Sequence, residues 1–238
     1  MLEFFIMTDL TPGVSQIITV NSFKDLVTTP FYDDRNAVCW ERKLVGDFAE
    51  IIDKVALKEN MVVLEKEVLV SLQLSEQGEL ARAVLLEDLE LLKAQGASPI
   101  LNIIQSYERD TDLPFFPTDV YSFHVDRSPI PVDTFLCTYY GEPSDILPNA
   151  EGVQKVLIPE IRAALKKIYG GVDEGFESFL KAYFFDLHYQ PLQGAHPIPL
   201  GLGNIWRIAV DHPESKVPPC LHRAPKEKSG EKRLLLIC

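Results

Sequence analysis

Two neighbouring stretches decide the reading of this chain: Phe123-His124-Val125-Asp126-Arg127, and Val132-Asp133-Thr134-Phe135-Leu136-Cys137-Thr138-Tyr139-Tyr140 after it. Both are rich in β-branched and aromatic residues, with Ser and Pro between them, so they read as strands. On a strand the side chains alternate between faces. His124 and Asp126 therefore share one face, and Phe123 and Val125 the other. An imidazole and a carboxylate side by side on a rigid strand are two-thirds of a facial metal triad.

Working outward, segments 99–108, 119–126 and 132–140 read as strands, as do runs near 204–210, 218–222 and 232–238. The front of the chain reads differently. It has a Pro12-Gly13 break, a polar turn at 33–36 and a short apolar run, Ala37-Val38-Cys39-Trp40. Phe48, Ile51, Ile52 and Val55 recur at helical spacing. Val68, Val70, Leu72 and Leu74 alternate and predict a strand. Ser75 and Glu76 then open a long helix over 77–95, with Leu80, Val84, Leu85, Leu89 and Leu92 facing a core and Gly96 at its C-terminus. A second helical block is expected over 153–169, ended by Gly170-Gly171, and a shorter one over 176–185. Residues 186–203, rich in Pro and Gly, read as a long loop.

This layout predicts an α+β fold in a single domain over 1–238. Residues 1–98 would be a mainly helical support region. Residues 99–238 would be an antiparallel sandwich or jelly roll with a helical insertion at about 150–186.

Composition limits the function. With 238 residues the chain can bury a core without disulfide staples. Its 23 Lys+Arg against 35 Asp+Glu give a net charge of -12, which argues against bulk nucleic-acid binding and against anionic membranes. The charge is uneven. Residues 216–233 hold six cations (Lys216, Arg223, Lys226, Lys228, Lys232, Arg233) and two acids (Glu227, Glu231). Cys39, Cys137, Cys220 and Cys238 are far apart, which is neither a disulfide framework nor a zinc finger. The apolar stretch in residues 1–10 has no basic flank, and no run is long enough for a membrane helix. A cytoplasmic location with reduced thiols is expected.

The expected third metal ligand is His222, in Pro219-Cys220-Leu221-His222-Arg223-Ala224-Pro225, 96 positions after Asp126. Two His and one carboxylate suit non-haem Fe(II), because three coordination positions stay open. A turn at Ser229-Gly230 leads to Arg233, eleven residues after His222. A guanidinium there is suited to pairing with a carboxylate near the metal. His-x-Asp, then a distant His, then Arg about ten residues on is the pattern of the Fe(II)/2-oxoglutarate-dependent oxygenases.

Four runs carry a closer likeness: Phe123 to Arg127, Thr138-Tyr139-Tyr140-Gly141, Leu221 to Pro225, and Gly230 to Leu236. With Ala37 to Arg42 near the front, they resemble the bacterial DUF1826 family over roughly 35–238. The resemblance implies a double-stranded β-helix (jelly roll, cupin-like) with flanking helices. His124, Asp126 and His222 would bind the metal. Arg233 would hold the distal carboxylate of 2-oxoglutarate, with Thr138, Tyr139 or Tyr140 adding a hydroxyl. The reaction would couple decarboxylation of 2-oxoglutarate to oxidation of an organic substrate, a small molecule, a peptide or a nucleobase. Family members sometimes lie beside zinc-handling genes, so zinc stands as the alternative metal in a non-enzymatic binding protein. A third reading is an interaction module whose histidines are structural.

Cys220 would favour zinc if it bound metal. His188 and His196 read as loop or helix-end residues, and His212 as a turn residue. Trp40 and Trp206 read as core anchors, and Phe115-Phe116 as packing under a loop. The run Glu87-Asp88-Leu89-Glu90 reads as the solvated face of the long helix.

Overall fold

A computed structural model describes residues 16–226, 228 and 230–238. The Pro12-Gly13 break, the apolar N-terminal stretch, Glu227 and Ser229 lie outside the described residues. The described chain begins with β1 (Ile17–Val20), α1 (Phe23–Thr28), β2 (Ala37–Trp40), α2 (Phe48–Lys54), β3 (Met61–Val63), α3 (Lys66–Ser71) and α4 (Glu76–Ala94). It continues with β4 (Ile100–Ile104), β5 (Phe123–His124), β6 (Asp133–Tyr140), β7 (Asp145–Ile146), β8 (Gly152–Gln154), α5 (Pro159–Tyr169) and α6 (Phe176–Ala182). It ends with β9 (His188–Pro191), β10 (Ile198–Pro199), β11 (Ile205–Ala209), β12 (His222–Arg223) and β13 (Arg233–Ile237).

The result is a mixed α+β fold with two sheets. The seven-stranded sheet runs β1-β2-β11-β6-β13-β4-β3, and the six-stranded sheet runs β10-β7-β12-β5-β9-β8. The described part of residues 1–98 supplies three of the strands in the larger sheet, as well as four helices.

Several strands of the larger sheet are apolar without alternation because both of their faces are covered. One face of β2, β6, β11 and β13 contributes Ala37, Cys39, Leu136, Trp206, Ile208 and Leu235 to a cluster that also takes Ile146 and Cys220 from the smaller sheet and its approach. The opposite face contributes Val38, Cys137, Tyr139, Leu234 and Leu236 to a cluster with Ile51 and Ile52 of α2 and Leu85, Leu89 and Leu92 of α4. A separate cluster around Phe116, Leu165, Phe176 and Phe185 ties α5 and α6 to the loop before β5.

Helix α4 starts where the Ser75 cap predicts, with the Ser75 hydroxyl accepting from the Gly78 amide. Its buried face differs from the periodic reading. Leu80 is 41% exposed, whereas Ala81 and Asp88 are buried. The acidic run is thus not wholly solvated. Asp88 sits beneath Arg42, which donates to both carboxylate oxygens, while the Tyr139 hydroxyl donates to it at 2.6 Å.

Three further expectations are corrected. Residues 68–74 hold helix α3 and no strand. Leu69 is the buried side chain there, and Val68 and Val70, which created the alternation, face outward. The helix expected from Val153 begins only at Pro159, because Gly152–Gln154 pair with β9. The segment 186–203 is no structureless loop, since β9 and β10 both add to the smaller sheet.

Gly141 shapes the region next to the site. It turns the chain after β6 with φ +83°, and a Cβ there would collide with the Lys232 carbonyl beside Arg233.

Candidate metal centre

The smaller sheet positions the histidines by strand register. His222 of β12 lies directly opposite His124 of β5, and His124 lies directly opposite His188 of β9. Asp126 follows β5 at the two-residue spacing. The ligand atoms of His124, Asp126 and His222 lie within 4.8 Å of one another, which makes these three a candidate metal-holding group among the described residues. His124 Nε2 is 4.0 Å from Asp126 Oδ1, and His222 Nε2 is 3.7 Å from Asp126 Oδ2.

The ring orientations suit a metal. His124 Nδ1 lies 2.8 Å from the Ser122 carbonyl oxygen, and His222 Nδ1 lies 3.2 Å from that of Cys220. A carbonyl only accepts, so each Nδ1 carries a proton, which leaves Nε2, the nitrogen on the Asp126 side, as the one able to coordinate a metal. Such backbone anchoring fixes both tautomer and orientation in metal-binding histidines. Thr134 of β6 donates to Asp126 Oδ2 at 2.6 Å, orienting the carboxylate from the other sheet.

The electrostatics keep His124 and Asp126 ready at neutral pH. Burial, reinforced by His222, lowers His124 to about 4. Burial alone would raise the Asp126 carboxyl, but His222 and the Thr134 hydroxyl outweigh it and hold the group below its usual range. A neutral His124 and an ionised Asp126 are donor forms a divalent metal requires.

Arg233 is buried at the start of β13. Its guanidinium donates to Thr138 Oγ1 at 3.3 Å, to Ser144 Oγ at 3.1 Å and to the Tyr107 hydroxyl at 3.4 Å. Thr138 therefore lies beside Arg233. Tyr140 is 40% exposed at the far end of β6, and Tyr139 reaches Asp88 on the opposite face. Ser144 and Tyr107 are the hydroxyls that sequence reasoning missed, since nothing local links them to Arg233. The cavity beside the triad, about 280 Å³, is lined by His124, Asp126 and His188 among others. Arg233 borders a different cleft of only about 10 Å³.

Cys220 is fully buried. Burial and the nearby Asp126 push its thiol well up, so it is a protonated, apolar neighbour and stands outside the ligand group. His196 is exposed, and His212 accepts from the Glu214 amide in a turn. His188 is closer to the chemistry than its loop reading implied. It is 5% exposed, and its ring centroid is 5.9 Å from that of His124.

No protein-family model matches this chain, and no curated protein matches it. The likeness to the DUF1826 family therefore rests on the sequence motifs alone.

Proposed function

We propose that the protein is an Fe(II)/2-oxoglutarate-dependent oxygenase on a double-stranded β-helix, acting on a small-molecule or peptide substrate. The observation that carries this reading is the convergence of two backbone-anchored imidazoles and one carboxylate on paired strands. That donor set suits non-haem iron, because it would leave coordination positions open for a cosubstrate and oxygen. The likeness to the DUF1826 family belongs to the same proposal.

Strand order supports the fold part of the reading. Eight strands form the pattern β11-β6-β13-β4 in one sheet and β10-β7-β12-β5 in the other. From β4 to β7, and again from β10 to β13, consecutive members of this set alternate between the sheets, as a double Greek key requires.

Iron with 2-oxoglutarate would supply the oxidising chemistry. The chain's own part is geometric. His124, Asp126 and His222 hold the metal, and Thr134 fixes the carboxylate. Arg233, with the Thr138 and Ser144 hydroxyls, is suited to a distal carboxylate. Leu136, Ile146 and Leu235, packed between the sheets, keep water from the inner side.

One observation favours a second reading, a zinc-binding protein without oxygenase activity. The cleft at Arg233, about 10 Å³, is too small for a dicarboxylate as it stands. Anaerobic titration separates the two. Fe(II) followed by 2-oxoglutarate is expected to produce a weak visible metal-to-ligand charge-transfer band. A folded, iron-loaded protein that gives no band on adding 2-oxoglutarate overturns the oxygenase reading in favour of the zinc one.

A further inference from the structure

We infer that the substrate brought to this metal centre carries an organic cation, a protonated amine or guanidinium, received at an acidic mouth and by the side chain of His188. The inference rests on the metal-centre reading and adds the substrate class to it.

The first observation is the sorting of charge around the triad. The cavity of about 280 Å³ beside His124 shares Thr118, Asp119 and Val120 with an open cleft of about 730 Å³. It shares Thr118 and Tyr183 with another of about 690 Å³. Glu59, Glu108 and Asp119 line the larger cleft, and Asp110 and Asp112 the other. Among the described residues, Arg109 and Lys155 stand near these five carboxylates, and Lys155 also faces His188. Arg109 lies over the Tyr121 ring at 3.3 Å, and Lys155 is anchored to the Ser122 hydroxyl at 2.6 Å. Arg127 is held by Asp186 and Asp211. The mouth therefore has an acid excess. The basic residues Lys226, Lys228 and Lys232 outnumber Glu142 and Glu231 around the separate cleft at Arg233. A cleft lined by one sign of charge concentrates ligands of the other.

The second observation is independent of charge. His188 lines the cavity, is 5% exposed, and its Nδ1 is buried without a hydrogen-bond partner. A buried polar atom left unmet is costly unless a ligand satisfies it. With its proton on Nε2, this imidazole offers Nδ1 as an acceptor for an incoming N–H. The rim adds aromatic faces. Tyr183 and Phe184 are 61% and 57% exposed, and Phe184 is held in the left-handed region at φ +59°. Aromatic faces attract cations such as ammonium and guanidinium.

The test uses the full-length protein loaded with Co(II), whose absorption reports the metal site separately. Binding of two fluorescein-labelled decapeptides, one alternating Lys and Gly and one alternating Glu and Gly, is read by anisotropy at low salt. The lysine peptide is expected to bind at least tenfold more tightly. The exposed pair Glu59→Lys with Glu108→Lys should weaken it at least tenfold without changing the Co(II) spectrum. His188→Phe should weaken it severalfold, and His188→Gln, which restores an acceptor, should recover part of the loss. Competition by free spermine would identify a small amine as sufficient. Lysine-peptide binding that spermine does not displace would identify a peptide-borne cation, and either result supports the inference. Equal binding of the two peptides, or affinity unchanged by the charge reversal, overturns it while an intact Co(II) spectrum preserves the metal-centre reading. Failure of the wild-type protein to take up Co(II) overturns the metal-centre reading instead.

Discussion

His124 and His222 face each other across the antiparallel pair β5 and β12 with ring centroids 4.5 Å apart, each ring tied by Nδ1 to the carbonyl two residues before it. The two Nε2 atoms therefore face a common point with Asp126, and the geometry makes distinct demands on each residue.

Removing a ligand should cost metal and little else. His124→Ala and His222→Ala are each expected to lower Co(II) affinity by about 100-fold or more, given that losing even an outer-shell partner typically costs 10–100-fold. Arg233→Ala should leave Co(II) affinity near wild type and weaken 2-oxoglutarate binding. Spectroscopic titration of each variant checks this. Equal loss of both ligands in all three variants, with altered circular dichroism, would indicate unfolding.

In the proposed metal centre Thr134 would act on the metal through Asp126, to which it donates. Thr134→Val, which keeps the shape but removes the 2.6 Å hydrogen bond, should reduce Co(II) affinity by about tenfold. Thr134→Ser should retain most of it. An affinity unchanged in Thr134→Val would show that the hydrogen bond does not orient the carboxylate.

Acid should destabilise the metal-free protein. Burial lowers His124 to about 4 and, with His124 and Lys155, lowers His188 to about 3. An unfolded histidine titrates near 6.5, so between about pH 6.5 and 4 the unfolded state binds more protons than the folded one. Stability contributed by the neutral rings is full above that window and is lost as pH falls through it. The lowered Asp126 carboxyl acts in the same direction at lower pH. Urea denaturation from pH 7.5 to 4.5 should therefore show a falling midpoint, and a His188→Phe variant should show a shallower fall.

The ion pair between Arg42 and Asp88 is largely buried in the core that backs the larger sheet. Arg42→Met leaves the Asp88 carboxylate, 1% exposed, with only the Tyr139 hydroxyl. Breaking one side of a buried pair typically costs about 3–5 kcal/mol. Tyr139→Phe should cost about 1–3 kcal/mol, the penalty of a buried acceptor losing one bond. Chemical denaturation measures both, and an Arg42→Met variant within 1 kcal/mol of wild type would contradict this assignment.

Legibility followed the range of the interactions. Helix α4 and its Ser75 cap were readable because a cap and a 3.6-residue period are local. The side-by-side placement of His124 and Asp126 follows from the two-residue period of a strand. Segment 68–74 misled because two exposed valines mimicked an inward face while only Leu69 is buried. Asp88 misled because the cation that permits its burial, Arg42, lies 46 residues away. Tyr107, Ser144 and His188 could not be linked to the site from sequence, since strand pairing and loop packing across the fold bring them there.

The sequence by itself determined the donor types, the His-x-Asp spacing, the charge asymmetry, strands β4, β5, β6, β11, β12 and β13 and helices α2, α4, α5 and α6, because composition and local periodicity are properties of short segments. Only the tertiary structure decided that His222 stands opposite His124, that His188 joins the same row, that Thr134 reaches Asp126 from the other sheet and that Tyr140 stays outside. Those placements depend on register between strands far apart in the chain, and a one-residue slip would turn each histidine to the opposite face.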